Sequence, residues 1–253
     1  MFDLTGLALP ITSAFKLDLH ELHSAYGWDD KLSEVDRNLW VEHFNMMNDL
    51  NSVVWGRGVL PPDAANHDIE LIGAGDASEK LACAACYIRF KCLDGSYSCR
   101  LIMAKSKVVP DGTSIPRAEL LAMVLNTHVV EIVKRALKHH HIIKTIYVLD
   151  SEIGLYWIAS QTKPLKPWVR NRVLEILRFT EVSDWFHVKS EDNPGDLPTR
   201  KGAKLADIDE KSEWIMGKPW MQEPLDELYG SVLNDVNAIK LKTEQVAEVK
   251  KSR

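Results

Sequence analysis

The sequence predicts an α/β fold: a mixed five-stranded sheet, three antiparallel strands followed by parallel ones, with helices on both faces and a helical segment ahead of it. Three observations carry this. Residues 69–108 hold three strand-like runs joined by turn signals. From Pro116 to Val188, helical periodicity alternates with short apolar runs. The first sixty residues read as helix.

In chain order, Thr12 to Tyr26 places Phe15, Leu19, Leu22 and Tyr26 on one helical face. Ser33 to Asn51 does so with Leu39, Val41, Phe44, Met47 and Leu50, and Gly27-Trp28-Asp29-Asp30 separates the two. Leu60-Pro61-Pro62-Asp63 closes this segment. Ile69 to Gly75 is a short strand ending in Asp76. Ala82 to Phe90 alternates, with Ala84, Cys86, Ile88 and Phe90 on one face and Tyr87, Arg89 and Lys91 on the other. Asp94-Gly95 turns the chain into a third strand, Tyr97 to Val108. Pro116 opens a helix, since its fixed φ suits a first-turn position, with Ser114 or Thr113 near to cap; the helix runs to His139-His140-His141. Thr145 to Leu149 is a β-branched strand ending in Asp150, and Ser151 caps a helix through Trp157. Pro167 opens another over Trp168 to Phe179, Trp185 to Val188 is a last strand, and Asn193-Pro194 starts a final helical turn. Parallel strands need helical crossovers, and these helices supply them. The expected division is a helical connection at 1–62, the sheet domain at 63–205 and a linker or tail at 206–253, with Val232 to Val249 a weak amphipathic helix.

The 253 residues are 45% apolar and 26% charged, enough to bury a core and unlike disordered or collagen-like chains. No apolar run reaches the ~20 residues of a membrane helix. The N-terminus lacks the pattern of a signal peptide, and four cysteines read as reduced thiols, so the expectation is an intracellular protein, cytoplasmic or nuclear, with no membrane partner. The net charge of −5 is unevenly spread: −8 over 1–70, +5 over 71–201 and −2 over 202–253. Polyanion binding needs local positive surface, and the central island could supply it; a solvated surface of fluctuating charge is the plainer alternative.

Four carboxylates mark where chemistry belongs. Asp76 and Asp150 end strands, and Glu119 and Asp196 lie in the first turns of helices. Strand ends and helix starts of an α/β sheet converge on one edge, where ligands bind. Four carboxylates there repel one another unless divalent cations, a pair about 4 Å apart, lie between them. All-oxygen donors favour Mg²⁺ or Mn²⁺ over zinc. Singly, each acid has a plainer role in a cap, a turn or a helix dipole.

The segments around these acids are Gly75-Asp76-Ala77-Ser78, Ile115-Pro116-Arg117-Ala118-Glu119-Leu120, Leu149-Asp150-Ser151, Trp185-Phe186-His187-Val188 and Asn193-Pro194-Gly195-Asp196-Leu197-Pro198-Thr199-Arg200. Together they resemble the ribonuclease H domain of retroelement polyproteins, most of all the BEL/Pao class of LTR retrotransposons. Leu9 through Asp30 resembles the connection after the reverse transcriptase, and Trp214 through Pro224 the link towards integrase. The resemblance implies a ribonuclease H-like fold, two Mg²⁺ ions with Mn²⁺ able to substitute, and cleavage of the RNA strand of an RNA–DNA hybrid. The reverse transcriptase and integrase parts of a polyprotein are the partners it implies. It further implies that Asp76 bridges both metals, Asp196 holds the one that activates water, and Glu119 and Asp150 hold the one facing the leaving oxygen. Three positions depart from the pattern: the loop Lys189-Ser190-Glu191-Asp192 carries no His, Leu149 stands where Thr is usual, and Pro198 shortens the last helix.

Lys163, Lys166, Arg170 and Arg172 surround Trp168, while Lys105, Lys107 and Arg117 lie near the hairpin and helix start; with Arg200, and with Trp168 packing on a sugar or on the core, they are the candidate nucleic-acid contacts. Cys83-Ala84-Ala85-Cys86 is not a zinc site, because residues three apart in a strand face opposite ways. Other readings are a catalytically silent remnant that binds nucleic acid or proteins, and an exonuclease or integrase-like nuclease acting on DNA. An aspartic peptidase is rejected: it needs two Asp-Thr/Ser-Gly loops, and Asp150-Ser151 is followed by Glu152.

Overall fold

The computed structural model describes residues 3–160 and 165–235. Its centre is a mixed sheet with strands β1 (Ile69–Ala77), β2 (Leu81–Lys91), β3 (Tyr97–Val108), β4 (Ile142–Leu149), β5 (Trp185–His187) and β6 (Asn234–Asp235), ordered β3-β2-β1-β4-β5-β6. The first three strands pair antiparallel, and β1–β4 and β4–β5 pair parallel, as expected. Six strands stand where five were expected. The extra one is the two-residue β6, antiparallel to β5, too short to carry a periodicity in the sequence.

The helices are α1 (Leu9–Ala25), α2 (Glu34–Asp49), α3 (Ile115–Ala136), α4 (Glu152–Ala159), α5 (Pro167–Leu177), α6 (Glu213–Met216) and α7 (Leu225–Leu228). The first starts three residues earlier than the spacing predicts, because Pro10 sits in its first turn, where a missing N–H costs nothing. Ser33 caps α2, its hydroxyl accepting from the Asp36 N–H at 3.1 Å. The last expected helix is instead a 3₁₀ stretch, Pro194–Thr199, with Pro198 inside it. None of these helices is long and apolar enough to cross a membrane.

Both sheet faces are buried. On one, α3, α4 and α5 pack over Leu71, Ala84, Cys86, Ile88 and Tyr147. On the other, Ile72, Ala74, Tyr87, Ile146 and Val148 are covered by the two ends of the described chain: Leu9, Ile11 and Leu50 from one, Trp214, Trp220, Met221, Leu225 and Leu233 from the other. Indole N–H groups tie the layers. Trp214 donates to the Leu7 carbonyl at 2.9 Å, Trp55 to that of Ile208 at 2.7 Å and Trp220 to that of Asp192 at 2.9 Å. Arg89, placed by its alternation on a polar face, is fully buried. Glu70 on the neighbouring strand β1 neutralises it at 3.0 Å, and the covering segment adds an acceptor, the Glu223 carbonyl at 2.8 Å.

The face expected of α2 is only partly buried: Leu50, just past the helix, joins the core and Leu39 and Met47 are half-buried, but Val41 is 49% and Phe44 57% exposed, and within the helix His43 is the buried residue. Polar and ring contacts hold α2 to α1, His43 reaching Asp18 at 2.7 Å and lying against Phe15, with Trp40 of its own helix packed edge-on beside it.

Candidate active site

Three of the four acids meet. Ala74 on β1 lies opposite Val148 on β4, so the residues two further along, Asp76 and Asp150, leave the sheet at one edge. Glu119 reaches that edge from the first turns of α3. A close approach of helix to strand makes this possible: a Cβ on Gly73 would sit 2.4 Å from Asn126 Oδ1 and 2.7 Å from Val130 Cγ2. Carboxylate oxygens of Asp76, Glu119 and Asp150 lie within 4.8 Å of one another.

The electrostatics of this cluster are unfavourable without a cation. Asp76 and Glu119 are buried, and Glu119 Oε2 has no hydrogen-bond partner. Burial, reinforced by Asp76 and Asp150, pushes Glu119 up to about 8. Burial also raises Asp76 to about 6, with Asp150 and Asp196 adding to the rise and a hydrogen bond from Thr199 opposing it. An oxygen-only donor set that carries an orphaned buried oxygen fits a hard divalent cation.

Asp196 is not in this group. It lies in the 3₁₀ stretch beside β1, close enough to act on Asp76, and its Oδ2 meets Arg200 Nε at 2.5 Å. That stretch reaches β1 because Gly195 has no side chain; a Cβ there would be 3.1 Å from the Gly75 carbonyl carbon. Asn193 fastens it, donating to the Gly75 carbonyl at 2.9 Å and accepting from the Gly195 N–H at 3.0 Å.

Several partners of these acids escaped the sequence reading. Thr199 donates to Asp76 Oδ2, and Ser190 donates to Asp150 Oδ2 at 2.5 Å. His187 Nε2 lies 3.1 Å from the Asp150 carbonyl oxygen. Their sequence signal is only proximity to Asp196, since neither hydroxyl has a spacing that announces its acceptor.

Of the candidate nucleic-acid contacts, Lys105 and Lys107 are exposed on the outer strand β3, and Lys166 and Arg170 are exposed at the start of α5. Arg117 and Arg172 both lie over the half-buried Trp168 ring, 5.2 and 4.2 Å from its centre. These two cations brace the indole against the core rather than standing free. Arg200 is exposed but engaged by Asp196. Lys163 lies outside the described residues. Cys83 and Cys86 face opposite layers and all four thiols are free and buried, as the strand geometry requires. Ser151 caps α4, accepting from the Gly154 N–H at 3.4 Å.

An α/β domain with a mixed sheet and a carboxylate-lined strand edge is thus the class of protein in hand. The family model for the Pao retrotransposon-like RNaseH-like domain matches residues 1–151, and the chain belongs to that family. The matched stretch contains Asp76, Glu119 and Asp150, and Asp196 lies beyond it. No curated protein matches the chain. Among solved structures, RNase H1 from the halophilic archaeon Halobacterium salinarum is 13% identical, with a TM-score of 0.33 over 51% of this chain and 90% of that one. LC11-RNase H1 in complex with an RNA/DNA hybrid is 16% identical, with a TM-score of 0.33 over 49% and 88%. An N-terminal RNase H domain from Mycobacterium tuberculosis is 11% identical, with a TM-score of 0.32 over 51% and 86%.

Proposed function

We propose that this domain is a metal-dependent ribonuclease that hydrolyses the RNA strand of RNA–DNA hybrids internally. One observation carries the reading: three carboxylates converge at the sheet edge with a buried, unpartnered Glu119 oxygen among them, in a member of an RNaseH-like family. Asp76, Glu119 and Asp150 would hold a divalent cation, Mg²⁺ or Mn²⁺, and Asp196 would join them for a second. When bound, such ions stabilise the charge on the attacking and leaving oxygens of an in-line phosphoryl transfer.

The rest falls to the chain's own groups. Thr199 fixes one carboxylate oxygen of Asp76 and Ser190 one of Asp150, so both acids are oriented by hydroxyl donors. Lys105, Lys107, Lys166 and Arg170 offer exposed positive charge for phosphates, and Trp168 meets Arg117 of α3 at the start of α5, with Arg172 of its own helix also over the ring. The minor-groove 2′-hydroxyls would distinguish RNA from DNA. In a longer polyprotein, reverse transcriptase and integrase parts would be its neighbours.

Labelled RNA–DNA hybrid, RNA duplex and DNA duplex incubated with Mg²⁺, Mn²⁺ or EDTA test this. Cutting of the hybrid's RNA strand alone is expected, lost in EDTA and in Asp76→Asn. Hybrid binding without cutting would establish a silent nucleic-acid-binding remnant instead, and cutting of DNA would establish a different nuclease.

A further inference from the structure

Among the charged pairs of the described residues, the ion pair between Asp196 and Arg200 stands apart, because one partner is a candidate ligand of the metal centre. Arg200 Nε stands 2.5 Å from Asp196 Oδ2, four residues on and just past the end of the 3₁₀ stretch, and Asp196 is the one acid of the four that the cluster leaves out. The neighbouring Thr199 hydroxyl has both Asp76 Oδ2 and, at 2.8 Å, the Asp196 carbonyl oxygen within reach of its one proton. The dipeptide Thr199-Arg200 therefore engages the carboxylates of both Asp76 and Asp196, two acids that would hold a second ion. The Arg200 side chain is 63% exposed and that of Asp196 21%, so the guanidinium approaches the carboxylate from solvent and can leave again.

We propose that Arg200 is a positioning residue for the candidate metal centre: it is the internal counter-cation of Asp196, holds that carboxylate apart from the other three, and competes with the second divalent cation for it. This rests on the metal-dependent reading above and deepens it, since it orders the two ions. The first binds to Asp76, Glu119 and Asp150, where no protein cation lies among the ligands. The second must displace Arg200. An exposed pair of this kind is weak enough to be displaced and strong enough to measure, so its removal should tighten the second ion by about fivefold, the equivalent of about 1 kcal/mol. The released guanidinium stays next to the site, free to meet a phosphate of the substrate.

Mn²⁺ titration of the full chain, followed by calorimetry and by the electron paramagnetic resonance signal of unbound Mn²⁺, tests this without reference to activity. The wild type should bind one ion tightly and one weakly. Arg200→Gln should tighten only the weak step, by about fivefold, and Arg200→Lys, which keeps the charge, should restore wild-type behaviour. Asp196→Asn should lose the weak step, and adding Arg200→Gln to it should change nothing more, because the arginine acts through that carboxylate. A weak step unmoved in Arg200→Gln, with an Asp76-dependent tight step still present, overturns the role of Arg200 and leaves the metal centre standing. Absence of Mn²⁺ binding, or binding unaffected by Asp76→Asn, overturns the metal-dependent reading itself.

Discussion

Glu119 concentrates the residue-scale physics of the site. Its carboxyl is raised from 4.5 to about 8 by burial first and by Asp76 and Asp150 second. The folded state therefore binds a proton that the unfolded chain has already released, and the stability this gives is complete below the unfolded value and lost as pH rises towards 8. In EDTA the melting temperature should fall as pH climbs from about 4.5 through about 8, by up to about 1.4 kcal/mol of stability per pH unit for this group. Glu119→Gln should flatten that fall; an unchanged pH profile in thermal melts would show that the carboxyl is not held in this way. The position of Glu119 was legible in the sequence because Pro116 marks the start of α3 and so places Glu119 in its first turns. The hydroxyls of Ser190 and Thr199 were not legible, because a serine or threonine in a loop has many acceptors within reach and only the fold selects one.

The elements were read best where punctuation brackets them. Pro116, Ser151 and Pro167 open α3, α4 and α5 as expected, and the alternation of β2 assigns its two faces correctly. Reading succeeded only in part for α2, where Val41 and Phe44 of the predicted apolar face stay exposed while Leu50 is buried, because periodicity reports amphipathicity and not the presence of a surface to cover. The start of α5 carries the functional expectation at this scale. Lys166 and Arg170 are one helical turn apart, both exposed, with Trp168 fixed between them in the chain by the guanidinium groups of Arg117 and Arg172. If both cations meet phosphates, the double variant Lys166→Ala/Arg170→Ala should lower the slope of log affinity for hybrid against log salt by about 2, at about 0.9 per phosphate. Binding titrations across salt concentrations check this, and an unchanged slope would remove the helix from the interface.

For the whole molecule the decisive feature is the second sheet face, which neither the strands nor α3 to α5 cover. The sequence suggests that residues 63–205 form the domain, yet Ile72, Ala74, Tyr87, Ile146 and Val148 are buried beneath residues from outside that range, among them Leu9, Ile11, Trp214 and Leu225. Local patterning could not announce this, because the covering groups are single aromatic and aliphatic side chains in irregular segments. A fragment 63–205 should therefore lose cooperative thermal unfolding and bind a hydrophobic dye, whereas the full chain should melt in a single transition. A fragment that unfolds as sharply as the full chain would show the covering layer to be dispensable. The bond from the Trp214 indole to the Leu7 carbonyl spans 207 positions and closes this layer. During translation the hydrophobic underside of the sheet must wait, covered only by the earlier-made N-terminal residues such as Leu9, Ile11 and Leu50, until Trp214 and Trp220 have left the ribosome. Folding that depends on contacts so distant in the chain is slow and prone to aggregation. Nascent chains halted before Trp214 should consequently stay sensitive to protease and engage chaperones, while those released past Leu233 should not.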